Sequence, residues 1–369
     1  MTRTVVRSSR RAAFALLAAA APAGAQAPRY NAVADARLRL PEGTRVNGVP
    51  TFRTVGAAVA SLPPNGAERQ VVFVRNGRYR EKLTLELPRL TLVGESRDSA
   101  VLTYDAYAAQ PTPTGGTWGT RNSATLRVIA PDFRAEHLTV ENAYDYMGNY
   151  RKPAGDPTKV AGAQGVALAL DLGSDRAAFE DVRVVGHQDT LFPNAGRSWF
   201  HRSRVEGSVD FIFGAGVAVF EECEIVSRDR GSANNGYVTA PSTPAAQPVG
   251  LLFVRSRLVK ESPAVAPNSV ALGRPWRPFA DPALRPSAVF VDTWMDDHVG
   301  ARGWDRMGMT DSTGRRVWSE PGDARFYEVR STGPGAVPAP NRRVLTGADA
   351  ARYTVRAALG DWTPNASSR

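Results

Sequence analysis

Two stretches of this chain coincide when one is shifted by 21 positions. Val184-Val185-Gly186-His187-Gln188-Asp189-Thr190-Leu191-Phe192 and Val205-Glu206-Gly207-Ser208-Val209-Asp210-Phe211-Ile212-Phe213 share Val, Gly, Asp and the closing Phe. If that shift is one turn of a coil, Asp189 and Asp210 stand side by side on adjacent strands, about 4.8 Å apart. Like charges so opposed are destabilising. Two carboxyls this close titrate as a coupled pair, one pKa raised and the other lowered. One member then serves as an acid and the other as an ionised nucleophile or base. The plain alternative is a structural pair satisfied by turn N–H groups.

Other residues bear on the pair. The Gln188 amide can donate to a developing oxyanion. Gln164 lies one coil earlier, opening the apolar run Val166-Ala167-Leu168-Ala169-Leu170. Arg274, in Leu272-Gly273-Arg274-Pro275-Trp276, can pair with one aspartate and keep it ionised. Trp276 offers a flat face suited to a sugar ring. Equally, Arg274 reads as a surface arginine and Trp276 as a half-buried anchor.

Positioning such a pair needs stacked strands, and the chain repeats accordingly. A Phe is followed five residues later by an apolar residue in Phe133/Leu138, Phe179/Val184, Phe200/Val205, Phe220/Ile225, Phe253/Leu258 and Phe290/Met295. The Phe spacings are 46, 21, 20, 33 and 37. A basic period near 20, with a doubled interval and two insertions, marks a β-solenoid or parallel β-helix. Three residues past each Phe stand Glu136, Val182, Ser203, Cys223, Ser256 and Thr293. The lone Cys223 therefore reads as a small core residue with a raised pKa, not a nucleophile. Glu136 breaks that pattern.

Phe52, Val55, Val59 and Leu62 recur at helical spacing, so 51–62 is expected to form a short amphipathic helix capping the solenoid, ended by Pro63-Pro64. Stretches 106–123, 144–163 and 228–249 read as loops inserted between coils, on the face where solenoids often bind ligands. From 319 onward the repeat is lost and the chain is expected to pack along the outside. No linker divides the chain, so 26–369 is expected to be one domain with its core at about 45–364.

The first 25 residues read as a cleavable signal peptide: Arg3, Arg7, Arg10 and Arg11, then an apolar run from Ala12 to Ala21, then Ala23-Gly24-Ala25. Cleavage after Ala25 sends the chain to the periplasm or the outside. The run is too short to span a bilayer. Removing four arginines reduces the net charge from +10 to +6. One cysteine excludes a disulfide scaffold and cysteine-rich metal sites, and four histidines disfavour a histidine metal cage.

These blocks together resemble the pectin methylesterases. The resemblance rests on Gln188-Asp189-Thr190-Leu191, Asp210-Phe211-Ile212-Phe213-Gly214 and Leu272-Gly273-Arg274-Pro275-Trp276, in that order. It extends to Gly77-Arg78-Tyr79-Arg80-Glu81, Phe133 to Asn142, Gln164-Gly165-Val166-Ala167-Leu168, Gly333-Pro334-Gly335-Ala336 and Asp361-Trp362. It implies an all-β fold, a single-stranded right-handed parallel β-helix of the pectin-lyase-like kind. It implies hydrolysis of galacturonate methyl esters in pectin, a methyl-esterified homogalacturonan, with no cofactor or metal. Asp210 is then the nucleophile and Asp189 the general acid, then base. Gln164 and Gln188 stabilise the oxyanion, Arg274 orients Asp210, and Trp276 lines the sugar subsite. A monomer is the default expectation, and neither nucleic acid nor a membrane is implied as a partner. Ala163 and Ala215 depart from the family's His and Asn, which bears on substrate preference. Rival readings are a non-pectin esterase or thioesterase relative, a pectate lyase or polygalacturonase, and a non-catalytic carbohydrate-binding solenoid.

Overall fold

The structure, a computed structural model, describes residues 30–64 and 66–364; the expected signal segment lies outside them. Successive short strands enter three sheets in turn. Ala177–Glu180 joins the first sheet, Arg183–Val185 the second and Leu191–Pro193 the third. Arg197–His201 then returns to lie parallel against Ala177–Glu180. Repetition builds sheets of 12, 8 and 7 strands, parallel except for the opening hairpin Thr44–Val46 with Val49–Phe52. This is the expected parallel β-helix. The inward residues of one coil, such as Phe179, Val184 and Leu191, are fully buried only because the next coil covers them.

The Phe repeat is a physical stack. Phe179, Phe200, Phe220, Phe253 and Phe290 oppose one another in register. Their ring centroids are 4.4, 4.9, 4.7 and 4.4 Å apart. Phe133 is out of step. Ala135 opposes Phe179, and Phe133 sits two residues earlier, tilted against that ring at 5.8 Å. The position matching Val182 is therefore Leu138, which accounts for Glu136: it lies beside Arg134 on the outer side of the strand.

At six successive bends from the first to the second sheet one residue turns left-handed: His137, Asp181, Arg202, Glu222, Arg255 and Asp292, with φ between 47° and 56°. The next residue points into the bend and closes it. Ser256 Oγ accepts from the Cys223 N–H at 3.1 Å and donates to the Phe220 carbonyl at 3.0 Å. The Cys223 thiol makes the equivalent bond to the Phe200 carbonyl at 3.3 Å. Cys223 is buried, as expected, and burial pushes its pKa up.

Three expected boundaries move. The capping helix is Val55–Ala60, not 51–62. Thr51 and Phe52 belong to strand Val49–Phe52, which pairs with Ala32–Ala34, and Thr54 caps the helix by accepting from the Ala57 N–H at 3.1 Å. The stretch 228–249 is not all loop: Gly236–Pro241 is a strand of the third sheet. The repeat also survives past 319, because Arg325–Val329 adds a last strand to the first sheet and Phe326 stacks on Trp304 at 4.1 Å. Beyond it, helix Val355–Leu359 packs outside the first sheet, in a cluster with Trp199, Val219, Leu252 and Val289. Among the described residues no helix is long and apolar enough to cross a membrane.

Candidate active site

The site lies where the second sheet turns into the third. Val184 pairs with Val205 and Leu191 with Ile212, so the shift of 21 is the true register here. Asp189 and Asp210 therefore occupy equivalent places on adjacent coils. Both are left-handed, with φ of 63° and 49°, a conformation that aspartate tolerates better than most residues. The Asp189 N–H donates to the Val209 carbonyl at 3.0 Å. Between Val209 and Ile212 the register slips against Gly236–Pro241, leaving one extra residue on the Asp210 strand. Such a bulge re-aims a side chain. Gly207 permits the close approach before it: a Cβ there would lie 2.2 Å from Phe211 Cβ.

Arg274 leaves the end of strand Val270–Gly273 and closes on Asp210 with a two-pronged bond, Nε to Oδ1 at 2.8 Å and Nη2 to Oδ2 at 2.6 Å. Its guanidinium lies 4.1 Å from the centroid of the Tyr237 ring, which holds the fork flat. Asp210 is 5% exposed, and Asp189 is half-buried. Burial raises the Asp210 pKa, and the Arg274 fork pulls against it. Burial and then the neighbouring Asp210 charge push Asp189 well above the ordinary carboxylate value. The expected order is present, but not one rise and one fall: both are lifted because both are desolvated, and Asp210 gives up its proton first.

Gln164 and Gln188 reach the same cavity, of about 450 Å³, together with Asp189, Asp210, Arg274 and Trp276. Gln164 Nε2 donates one amide hydrogen to Thr120 Oγ1 at 3.0 Å. Gln188 Oε1 accepts from the Tyr146 hydroxyl at 3.4 Å. Trp276 tilts at 57° over Phe213, which stacks on Phe192 at 4.4 Å. All six sequence-derived residues thus line one cavity.

Several of their supports were not legible in the sequence. Tyr237 sat inside an apparent loop, although the third-sheet alternation Tyr237, Val238, Thr239, Ala240 was available as a signal. Thr120 and Tyr146, and Met307, which lines the same cavity, come from segments without a period. Tyr146 also stacks on His187 at 5.2 Å. Burial first, then Arg228 and Arg230, push the His187 pKa down to about 3, so that ring is neutral.

A carboxylate held by a guanidinium, a second carboxyl one strand away that holds its proton more tightly than usual, and two flanking amides suit acyl transfer: attack, proton donation and oxyanion stabilisation. The family profile described as Pectinesterase matches residues 45–356. Pectinesterase A of Dickeya chrysanthemi is 42% identical over 326 residues, covering 85% of this chain and 88% of that protein. Pectinesterase A of Emericella nidulans is 30% identical over 342 residues, 91% and 92% of the two chains. The structure of pectin methylesterase PemA from Erwinia chrysanthemi superposes with a TM-score of 0.85 at 41% identity, covering 92% of this chain and 99% of that one. A pectin methylesterase in complex with a hexasaccharide superposes at 0.86, again with 41% identity, covering 92% of this chain and 100% of that one. With likeness of this order running along nearly the whole of both chains, this chain belongs to the pectinesterase family.

Proposed function

We propose that the protein hydrolyses the methyl esters of galacturonate residues in pectin, releasing methanol and pectate, and that Asp210 and Asp189 carry the chemistry. The observation that carries the assignment of roles is the Arg274 fork on Asp210, with Asp189 one coil away and without such a partner among the described residues. Asp210, the member that ionises first, attacks the ester carbonyl carbon. The tetrahedral oxyanion accepts hydrogen bonds from Gln164 and Gln188. As the intermediate collapses, Asp189 gives its proton to the departing methoxide, which leaves as methanol. The resulting anhydride joins Asp210 to the sugar carboxyl. Asp189, now ionised, takes a proton from water, whose oxygen attacks the anhydride and frees the Asp210 carboxylate and the galacturonate. Trp276, braced on Phe192 and Phe213, gives the sugar a flat wall.

The +6 left after removal of residues 1–25, which we read as an export signal, suits a polyanionic substrate. Methanol release from methylated pectin, with no new reducing ends and no unsaturated product, is the expected result on the purified protein. Chain cleavage without methanol would replace the esterase reading with a hydrolase or lyase.

A further inference from the structure

Past strand Trp294–Met295 of the second sheet the chain turns through Asp296, Asp297 and His298 to Val299, which bridges to Val270 at the end of the third sheet. Backbone bonds pin this turn. Asn268 and Val270 donate their N–H groups to the carbonyls of Asp297 and His298, both at 2.9 Å, and Leu272 donates to that of Gly303 at 2.6 Å. The segment thereby braces strand Val270–Gly273, which Arg274 follows directly. It lies three strand spacings, about 14 Å, beyond the Asp210 strand. None of its three polar side chains lines the cavity of the two aspartates.

His298 is fully buried, yet neither of its ring nitrogens has a hydrogen-bond partner. It is the one side chain among the described residues with two such atoms, and buried polar groups ordinarily find partners. One of those nitrogens and one oxygen from each of Asp296 and Asp297 lie within 4.8 Å of one another. Both carboxylates are half-buried. Asp296 Oδ1 accepts from the Asp297 N–H at 2.8 Å, and Asp297 Oδ1 from Lys260 Nζ at 2.6 Å. The Oδ2 atom of each has no hydrogen-bond partner among the described residues. A cation about 2.1 Å from each ligand needs them about 3.4 Å apart, a gap that half-exposed carboxylates close by rotation. Two carboxylates and the Lys260 ammonium leave a net negative charge for it. One imidazole with two carboxylates suits zinc, cobalt or nickel, whereas an all-oxygen set would suit calcium or magnesium.

We propose that Asp296, Asp297 and His298 form a structural site for one first-row divalent cation, with zinc as its type, held by a His298 ring nitrogen and one oxygen of each aspartate. The cation ties the side chains of the turn as the hydrogen bonds tie its backbone, and so stiffens the coil beside Arg274. Lys260 competes with it for Asp297. No step of ester hydrolysis passes through this site, so the proposal stands apart from the esterase reading.

The test titrates zinc chloride alone into the whole protein, freed of metal and without a histidine tag, and reads binding and melting temperature. One zinc per chain is expected, and a hundredfold excess over Kd should raise Tm by about 4 °C. His298→Phe keeps a ring in the buried place and removes the ligand; it is expected to weaken binding by about 100-fold or more. Asp296→Asn changes a half-exposed side chain that the fold tolerates, and is expected to weaken binding by about tenfold or more. Lys260→Met removes the competing cation and is expected to tighten binding by about threefold or more. His201, which Glu180 and Glu222 flank at 2.7 and 3.6 Å, is the rival zinc ligand. No saturable zinc binding, an unchanged Kd in Asp296→Asn or His298→Phe, weaker binding in Lys260→Met, loss of binding in His201→Gln, or a response to calcium in place of zinc overturns the site.

Discussion

The guanidinium of Arg274 meets the carboxylate of Asp210 edge to edge, with both oxygens bonded. Asp189, at the matching place on the coil before, has no such partner among the described residues and feels the Asp210 charge instead. One arginine thereby breaks the symmetry of a repeated motif. Arg274→Lys keeps a positive charge but not the planar fork, nor the same stacking on Tyr237. It is expected to lower kcat by about 100-fold or more. It should also move the acidic limb of the pH profile upward, because burial then raises the Asp210 pKa with less opposition. Methanol release followed across pH tests both, and an acidic limb that stays in place sinks the assigned role.

Asp189→Asn is expected to abolish turnover and yet stabilise the fold at neutral pH. The native Asp189 carboxyl keeps its proton well above the ordinary value of 3.8. Above that value the folded chain holds more protons than the unfolded one, so the free energy of unfolding falls as pH rises. Below it both states are protonated and the penalty is gone. The variant should therefore melt about 2 °C or more above the wild type near pH 7, with the gap closing toward about pH 3. A gap that widens in acid contradicts the direction of the shift.

Gln188 and Gln164 are expected to act on the transition state more than on binding. Gln188→Ala should lower kcat by about 100-fold with little change in KM. Tyr146→Phe removes only the hydroxyl that orients Gln188, so its loss should be smaller and of the same kind. A Tyr146→Phe effect confined to KM would place that ring in substrate binding instead.

How much of this the sequence disclosed follows from where periodicity holds. Asp189 and Asp210 were legible because their coils are free of insertions and the register is the sequence shift itself. Phe133 misled because Leu138 stands five residues after it by chance, not by register. The residue opposite Phe179 is Ala135, too small to stand out beside an aromatic. Gly236–Pro241 was hidden by the Gly, Asn and Pro residues around it, and Tyr237 was hidden with it. Thr120 and Tyr146 come from insertions, whose course depends on tertiary packing. Repetition reveals what repeats, and the walls of the cleft do not.

Cys223 tests the repeat itself. Its sulfur stands in a column with Ser203 above and Ser256 below, and each side chain in the column bonds a carbonyl of an adjoining coil. A hydroxyl makes that bond at least as well as a thiol and is smaller by a fraction of a methylene. Cys223→Ser is therefore expected to change stability by no more than about 1 kcal/mol, and Cys223→Leu to cost about 1–3 kcal/mol through overpacking against the next bend. In the native protein the buried, high-pKa thiol should resist alkylation and react only after unfolding. Denaturant midpoints of the two variants decide the matter. If serine proved as costly as leucine, the column would be set by apolar packing alone, and the hydroxyl ladder would not be what closes each bend.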